Sequence, residues 1–235
     1  MKNVLLFLLA LASATLYSQS PIGAWEAETN DPTLGALKVV SIVSASHQAI
    51  SWYAKNDGTF VRTIGGSYSL AENRLRLNIE FDSSQPETVG TTQEFILSVS
   101  GAGYLVSPSG LIFTRLDEGT PGALPGAWLM SARKQNETLT TRSTDQPRKT
   151  MKILSGTRFQ WIAYDTETKQ FMGTGGGDYT TVDGTYTENI AFFSRDNSRV
   201  GASLNFTYSL KKGDWHHSGL SSKGEPIYEV WSQRQ

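Results

Sequence analysis

The sequence predicts an all-β protein built from two copies of one antiparallel meander. Short runs alternate apolar and polar residues, as Val200, Ala202, Leu204, Phe206, Tyr208 and Leu210 do, and no stretch has a helical period. Turn signals such as Asp183-Gly184 and Lys212-Gly213 separate the runs, which suits hairpins. The third observation is an internal repeat. Gly23-Ala24-Trp25 returns as Gly126-Ala127-Trp128, and Ile50-Ser51-Trp52-Tyr53-Ala54 aligns with Phe159-Gln160-Trp161-Ile162-Ala163 at an offset of 109. After a two-residue insertion the offset becomes 111, pairing Phe60 with Phe171, Gly66 with Gly177, Ile79 with Ile190, Phe81 with Phe192 and Phe95 with Phe206.

Taken in order, residues 1–18 read as a secretory signal peptide: one charge at Lys2, an apolar run from Val4 to Ala12, then small and polar residues with cleavage after Ala14 or Ser18. The run is too short to span a bilayer, so the chain is expected to be exported, periplasmic or secreted, without a membrane anchor. The first copy covers 22–118, a linker rich in Pro and Gly covers 119–125, and the second copy covers 126–235. In the second copy a strand begins at Trp128. Strands over Lys149–Leu154, Arg158–Tyr164, Phe171–Thr180, Thr185–Phe193, Arg199–Leu210, Asp214–Ser218 and Pro226–Trp231 bring the total to about eight.

Composition excludes several functions. With 21 Lys+Arg against 22 Asp+Glu, nothing favours nucleic acid or an anionic membrane as partner. The absence of Cys rules out disulfides, thiol catalysis, iron–sulfur clusters and Cys-ligated zinc. No His or carboxylate cluster has ligand spacing, so no metal or cofactor is expected. The near-neutral total hides unlike halves: residues 19–120 carry 6 basic and 11 acidic side chains, residues 121–235 carry 14 and 11. Opposite signs would help the two copies pack together.

A Gly-x-Trp on the first strand, a meander of about eight strands and an Arg after the last strand resemble the lipocalin-like (calycin-type) barrels. The chain supplies the pattern twice, as Gly23/Trp25 with Arg115 and Gly126/Trp128 with Arg234. The stretch Thr166-x-Thr168-x-x-Phe171-x-Gly173-Thr174-Gly175-Gly176-Gly177-x-Tyr179 also resembles exported lipocalin-like proteins of Bacteroidetes. The resemblance implies two tandem up-and-down β-barrels in which the Trp closes one end and the Arg packs across it. It also implies an interior or mouth that holds a small, mostly apolar ligand.

Differences between the copies locate the candidate site. Glu188 shares the apolar phase of Tyr186, Ile190 and Phe192, where the first copy has Leu77. Burying a carboxylate costs several kcal/mol unless it is paired or stays protonated, so folding alone gives no reason for it. His217 is placed inward with Trp215, which leaves His216 facing the other way and stops the two from gripping one metal ion. Gly173 and Gly175 replace Arg62 and Ile64, which would open volume beside Glu188 or let the strand coil tightly. The first copy has its own polar inward residues, Thr91 and Gln93, where the second has Ala202 and Leu204.

The leading expectation is a binding protein. Its second barrel would hold an amphipathic small molecule among Trp161, Tyr164, Tyr179, Tyr186, Phe192, Tyr208 and Trp215, oriented by Glu188 and His217. The alternative is an isomerase, cyclase or hydratase using Glu188 and His217 as an acid–base pair. A third reading is a non-catalytic interaction module acting through the polar loop Gln135–Arg148. A fourth, remote one is a haem site with His217 as axial ligand.

Overall fold

A computed structural model describes residues 20–100, 104–106, 109–135, 138–221 and 224–234, so the expected signal peptide lies outside the described residues. The first sheet comprises β1 (Gly23–Asp31), β2 (Gly35–Val43), β3 (His47–Ala54), β4 (Phe60–Ala71), β5 (Arg74–Asp82), β6 (Thr92–Ile96), β7 (Ser98–Ser100), β8 (Tyr104–Val106) and β9 (Ile112–Asp117). The second comprises β10 (Gly126–Gln135), β11 (Thr138–Thr141), β12 (Arg148–Leu154), β13 (Arg158–Asp165), β14 (Gln170–Val182), β15 (Thr185–Phe193), β16 (Ser203–Lys211), β17 (Asp214–Leu220) and β18 (Pro226–Gln233). All pairings are antiparallel. Among the described residues no helix is long and apolar enough to cross a membrane.

The second sheet closes. Strand β10 pairs with both β12 and β18, which makes an eight-stranded antiparallel barrel with β11 as an appendage. The first sheet is open, in the order β6-β5-β4-β3-β2-β1-β9-β8-β7. Its two edges are successive pieces of chain, separated only by Leu97. The equivalent strand in the second unit, β16, runs unbroken and pairs with β15 and then β17. The expectation of two closed barrels therefore holds for the second unit alone.

Strand pairing corrects the repeat alignment. Ile50 faces Ile64 as Trp161 faces Gly175, and Tyr53 faces Phe60 as Tyr164 faces Phe171. The offset is thus already 111 in β3, so Trp161 corresponds to Ile50 rather than to Trp52. The extra residues of the second copy lie earlier: Trp25 faces Ser41, whereas Trp128 faces Lys152, and the surplus forms β11.

A bulge in each unit then changes which face the aromatics occupy. Gly65 and Gly66 face Phe81 and Ile79, skipping Glu80; Gly176 and Gly177 face Phe192 and Ile190, skipping Ala191. A Cβ at Gly66 or Gly177 would run into the Asn78 or Asn189 carbonyl, so both positions require glycine. Because side chains alternate with period two, the extra residue turns Phe81 and Phe192 outward.

Those outward faces meet each other. Val40, Ile42, Tyr53 and Phe81 of the first unit pack in one buried cluster with Met151, Ile153, Tyr164 and Phe192 of the second. Each of the second four is the offset-111 counterpart of one of the first. The contacts are reciprocal: Tyr53 stacks on Phe192 with centroids 4.9 Å apart, and Phe81 meets Tyr164 at 5.1 Å. Phe60 stacks on its own counterpart Phe171 at 6.0 Å. This is the self-complementary pattern of a two-fold interface, here within one chain. Asp117 fastens the end of β9 to the β12–β13 turn by accepting from Ser155 Oγ, Gly156 N and both Thr157 N and Oγ1. The contact centres on this apolar cluster. Among the described residues one carboxylate–guanidinium pair crosses it, Glu80 with Arg234.

The two terminal arginines take different roles. The Arg115 guanidinium lies 4.1 Å from the Trp25 ring centroid, as the resemblance implied. Arg234 does not repeat this. It is Gln233 that faces Trp128, as Arg115 faces Trp25, and one further residue along the chain points to the opposite face. Arg234 accordingly forks onto Glu80 at 2.7 and 2.9 Å and donates to the Tyr164 hydroxyl at 3.1 Å.

Candidate functional site

Inside the second barrel, inward phases of β12, β15, β17 and β18 bring four ionisable side chains to one place. Lys152 and Glu188 are each buried, with Lys152 Nζ 2.6 Å from Glu188 Oε1. The Tyr186 hydroxyl donates to the same oxygen at 2.8 Å. Burial, then the Glu188 charge, push the Tyr186 phenol well above its ordinary pKa, so it remains a donor. The ammonium also sits within cation–π range of Tyr186, Trp215, Trp231 and Phe206, at 5.1, 5.0, 5.2 and 5.9 Å from their centroids. A buried cation and anion are tolerable only with such compensation.

Beside this pair, His217 Nδ1 lies 3.4 Å from Glu229 Oε2. Burial opposes ionisation of Glu229, but the hydrogen bond from His217 and the Lys152 charge outweigh it and hold the carboxyl below its ordinary pKa. Burial, then the Lys152 charge, lower the His217 pKa against the pull of Glu229 and Glu188. The pair is therefore a neutral imidazole and a carboxylate. The ionised carboxylate can only accept, so Nδ1 carries the proton and Nε2 keeps its lone pair. That Nε2 and the Trp231 and Trp215 indole N–H groups are buried and have no hydrogen-bond partner among the described residues.

These groups border a cavity of about 360 Å³ whose wall includes Met130, Arg133, Thr150, Lys152, Trp161, Glu188, Ile190, Phe193, Leu204, Phe206, His217, Ile227, Glu229 and Trp231. Of the expected residues, Trp161, Glu188 and His217 line it. Tyr186 and Trp215 form a fully buried layer behind it. Tyr179 is inside the barrel but donates its hydroxyl to the Ser155 carbonyl at 2.6 Å, and Tyr208 packs on the same core without lining the cavity. Tyr164 and Phe192 are corrections: Tyr164 shares the phase of Ile162, opposite to that of Phe159 and Trp161, and Phe192 follows a bulge on β15, so both face the other unit. His216 points away from His217 and contacts the Tyr228 hydroxyl at 2.7 Å.

Two further expectations change. The glycines of β14 do not open volume. A Cβ at Gly175 would strike the Trp161 indole, and one at Gly173 would strike the Arg195 guanidinium, so larger neighbours fill both places. Glu188 is not partnered by His217 but by Lys152, while Glu229 takes the histidine. Lys152 and Glu229 were missed. Glu229 could have been found, because it alternates with Ile227 and Trp231 on an inward phase. Lys152 alternates with Leu154 in the same way, but its partner lies on a strand across the barrel.

Among the described residues no group of three or more His, Asp or Glu side chains could hold a metal ion. Compared with known proteins, the chain matches no family model and no curated protein.

Proposed function

We propose that the protein is an exported, lipocalin-like binding protein whose second barrel holds a small amphipathic ligand. The observation that carries this is the 360 Å³ cavity, bordered by apolar side chains together with His217 and Trp231, whose buried Nε2 and indole N–H lack partners. Leaving such groups unpaired costs about 1–3 kcal/mol each, which a ligand offering one donor and one acceptor would recover once the two rings turn to bring these atoms to the cavity wall. The cavity volume lies in the range of small-molecule sites, about 300–1,000 Å³. The lining carries two cationic side chains, Lys152 and Arg133, against two carboxylates, Glu188 and Glu229, so the site suits a ligand without net charge. A thermal-shift screen of neutral amphipathic compounds tests the reading. It is supported by a stabilisation that Leu204→Trp, which fills the cavity, removes; it fails if no compound stabilises the protein or if Leu204→Trp leaves the shifts intact.

One observation favours a catalytic variant. A histidine held by a carboxylate, with its other nitrogen unpartnered, has the arrangement of a general base. The acid–base pair would then be His217 with Glu229, serving isomerisation, cyclisation or hydration. Turnover of any ligand found in the screen, lost in His217→Gln while binding persists, would establish it.

A further inference from the structure

The first unit has a cavity of its own, about 440 Å³, on the inner face of its sheet between two apolar clusters. It occupies the same place in the repeat as the cavity of the second barrel. Ile50, Leu77, Gln93 and Phe95 line it, and their offset-111 counterparts Trp161, Glu188, Leu204 and Phe206 line the other. The chemistry is different. Where the second barrel has Glu188 the first has Leu77, and its one cation is Arg62. The Arg62 guanidinium lies 3.9 Å from the Trp52 ring centroid and is only partly exposed. Among the described residues it has no hydrogen-bond or ion-pair partner.

Asp82 also borders this cavity, but its carboxylate is committed elsewhere. Oδ1 accepts from Ser84 N, Ser84 Oγ and Gln85 N, and Oδ2 accepts from Thr88 Oγ1, all within the turn that follows β5. Arg62 is therefore a half-buried cation on an apolar wall with its fork of donors unused. Stacked on the Trp52 ring, the guanidinium keeps its edge donors free, and a planar oxyanion is the group that a guanidinium matches with two parallel bonds. The Gln93 amide adds a neutral polar group on the same wall.

We propose that the first unit is a second, independent binding site, and that it takes an amphipathic monocarboxylate: the carboxylate on Arg62, the apolar tail against Ile50, Leu77, Phe95 and Phe113. The two units would then select different ligands with equivalent cavities, neutral in the second and anionic in the first.

Calorimetric titration with decanoate, and with decanol as its uncharged counterpart, tests this. The wild-type protein is expected to bind one decanoate. Arg62→Met keeps the stem against Trp52 and removes the charge; it should weaken decanoate about tenfold to a hundredfold, as losing a charge-assisted hydrogen bond does, with little effect on decanol. Arg62→Lys should fall between the two. Gln93→Trp should abolish binding by filling the cavity, and Leu204→Trp, at the equivalent place in the second barrel, should leave it unchanged. The proposal is overturned if decanoate does not bind, if Arg62→Met affects decanoate and decanol alike, or if Leu204→Trp abolishes binding and Gln93→Trp does not.

Discussion

The two units carry one strand plan and equivalent cavities, yet they differ in how charge enters the interior. The second barrel buries Lys152 against Glu188 and His217 against Glu229. The first has Ser41 and Leu77 where the second has Lys152 and Glu188, and leaves one guanidinium at its cavity wall. Closure differs in the same direction. The unit with the buried ion pair has a complete ring of backbone hydrogen bonds, whereas the other breaks at Leu97. A fold can thus accept a buried charge at a site where its own copy uses leucine, provided a counter-charge is held on the facing strand.

The largest test of that contrast is Lys152→Met. It leaves Glu188 buried beside Tyr186 alone, and urea unfolding should show a loss of about 3–5 kcal/mol. Adding Glu188→Leu makes the pair apolar and should restore most of it. A single substitution costing under about 1 kcal/mol would show that the pair does not hold the barrel together.

Acid should act next. Burial, then the Arg234 charge, lower His47 from its ordinary 6.5 to about 4, despite the carboxylate of Glu80. The unfolded chain therefore binds this proton more readily than the folded one. Stability is complete above the unfolded value and declines as pH falls from 6.5 towards 4, by about 3 kcal/mol in total. His217 shifts in the same direction. Unfolding curves across this range should flatten in His47→Gln and further in the double variant with His217→Gln.

Arg234→Met examines the contact between units. It removes the fork on Glu80 and leaves a largely buried carboxylate with the Tyr164 hydroxyl, at a cost of about 2 kcal/mol. Calorimetry should then resolve separate transitions for the two units; one sharp transition at the wild-type temperature would contradict this. The smallest effect is expected from Arg115→Met. Its stacking on Trp25 and bonds to the Ile22 and Ser20 carbonyls are local to the first unit, worth about 1 kcal/mol by thermal melt, with cooperativity unchanged.

Much of this was legible in the residues. Period-two alternation, Asp-Gly and Lys-Gly turns and the repeated Gly-x-Trp determine an all-β chain in two copies, because strand periodicity and turn chemistry are local properties. The same locality exposed Glu188 and His217 as costly exceptions on an inward phase. Three things were decided only in three dimensions. Bulges at Glu80 and Ala191 reversed the phase of Phe81 and Phe192, since one extra residue in a strand turns every later side chain to the other face. The partner of Glu188 was Lys152, brought across the barrel by the curvature of the closed sheet rather than by spacing along the chain. Arg234 went to Glu80 instead of Trp128 because pairing with β10 put Gln233 opposite Trp128, which turns the next residue to the outward face where the two units meet. Sequence sets what each strand offers; only closure and packing decide what it meets.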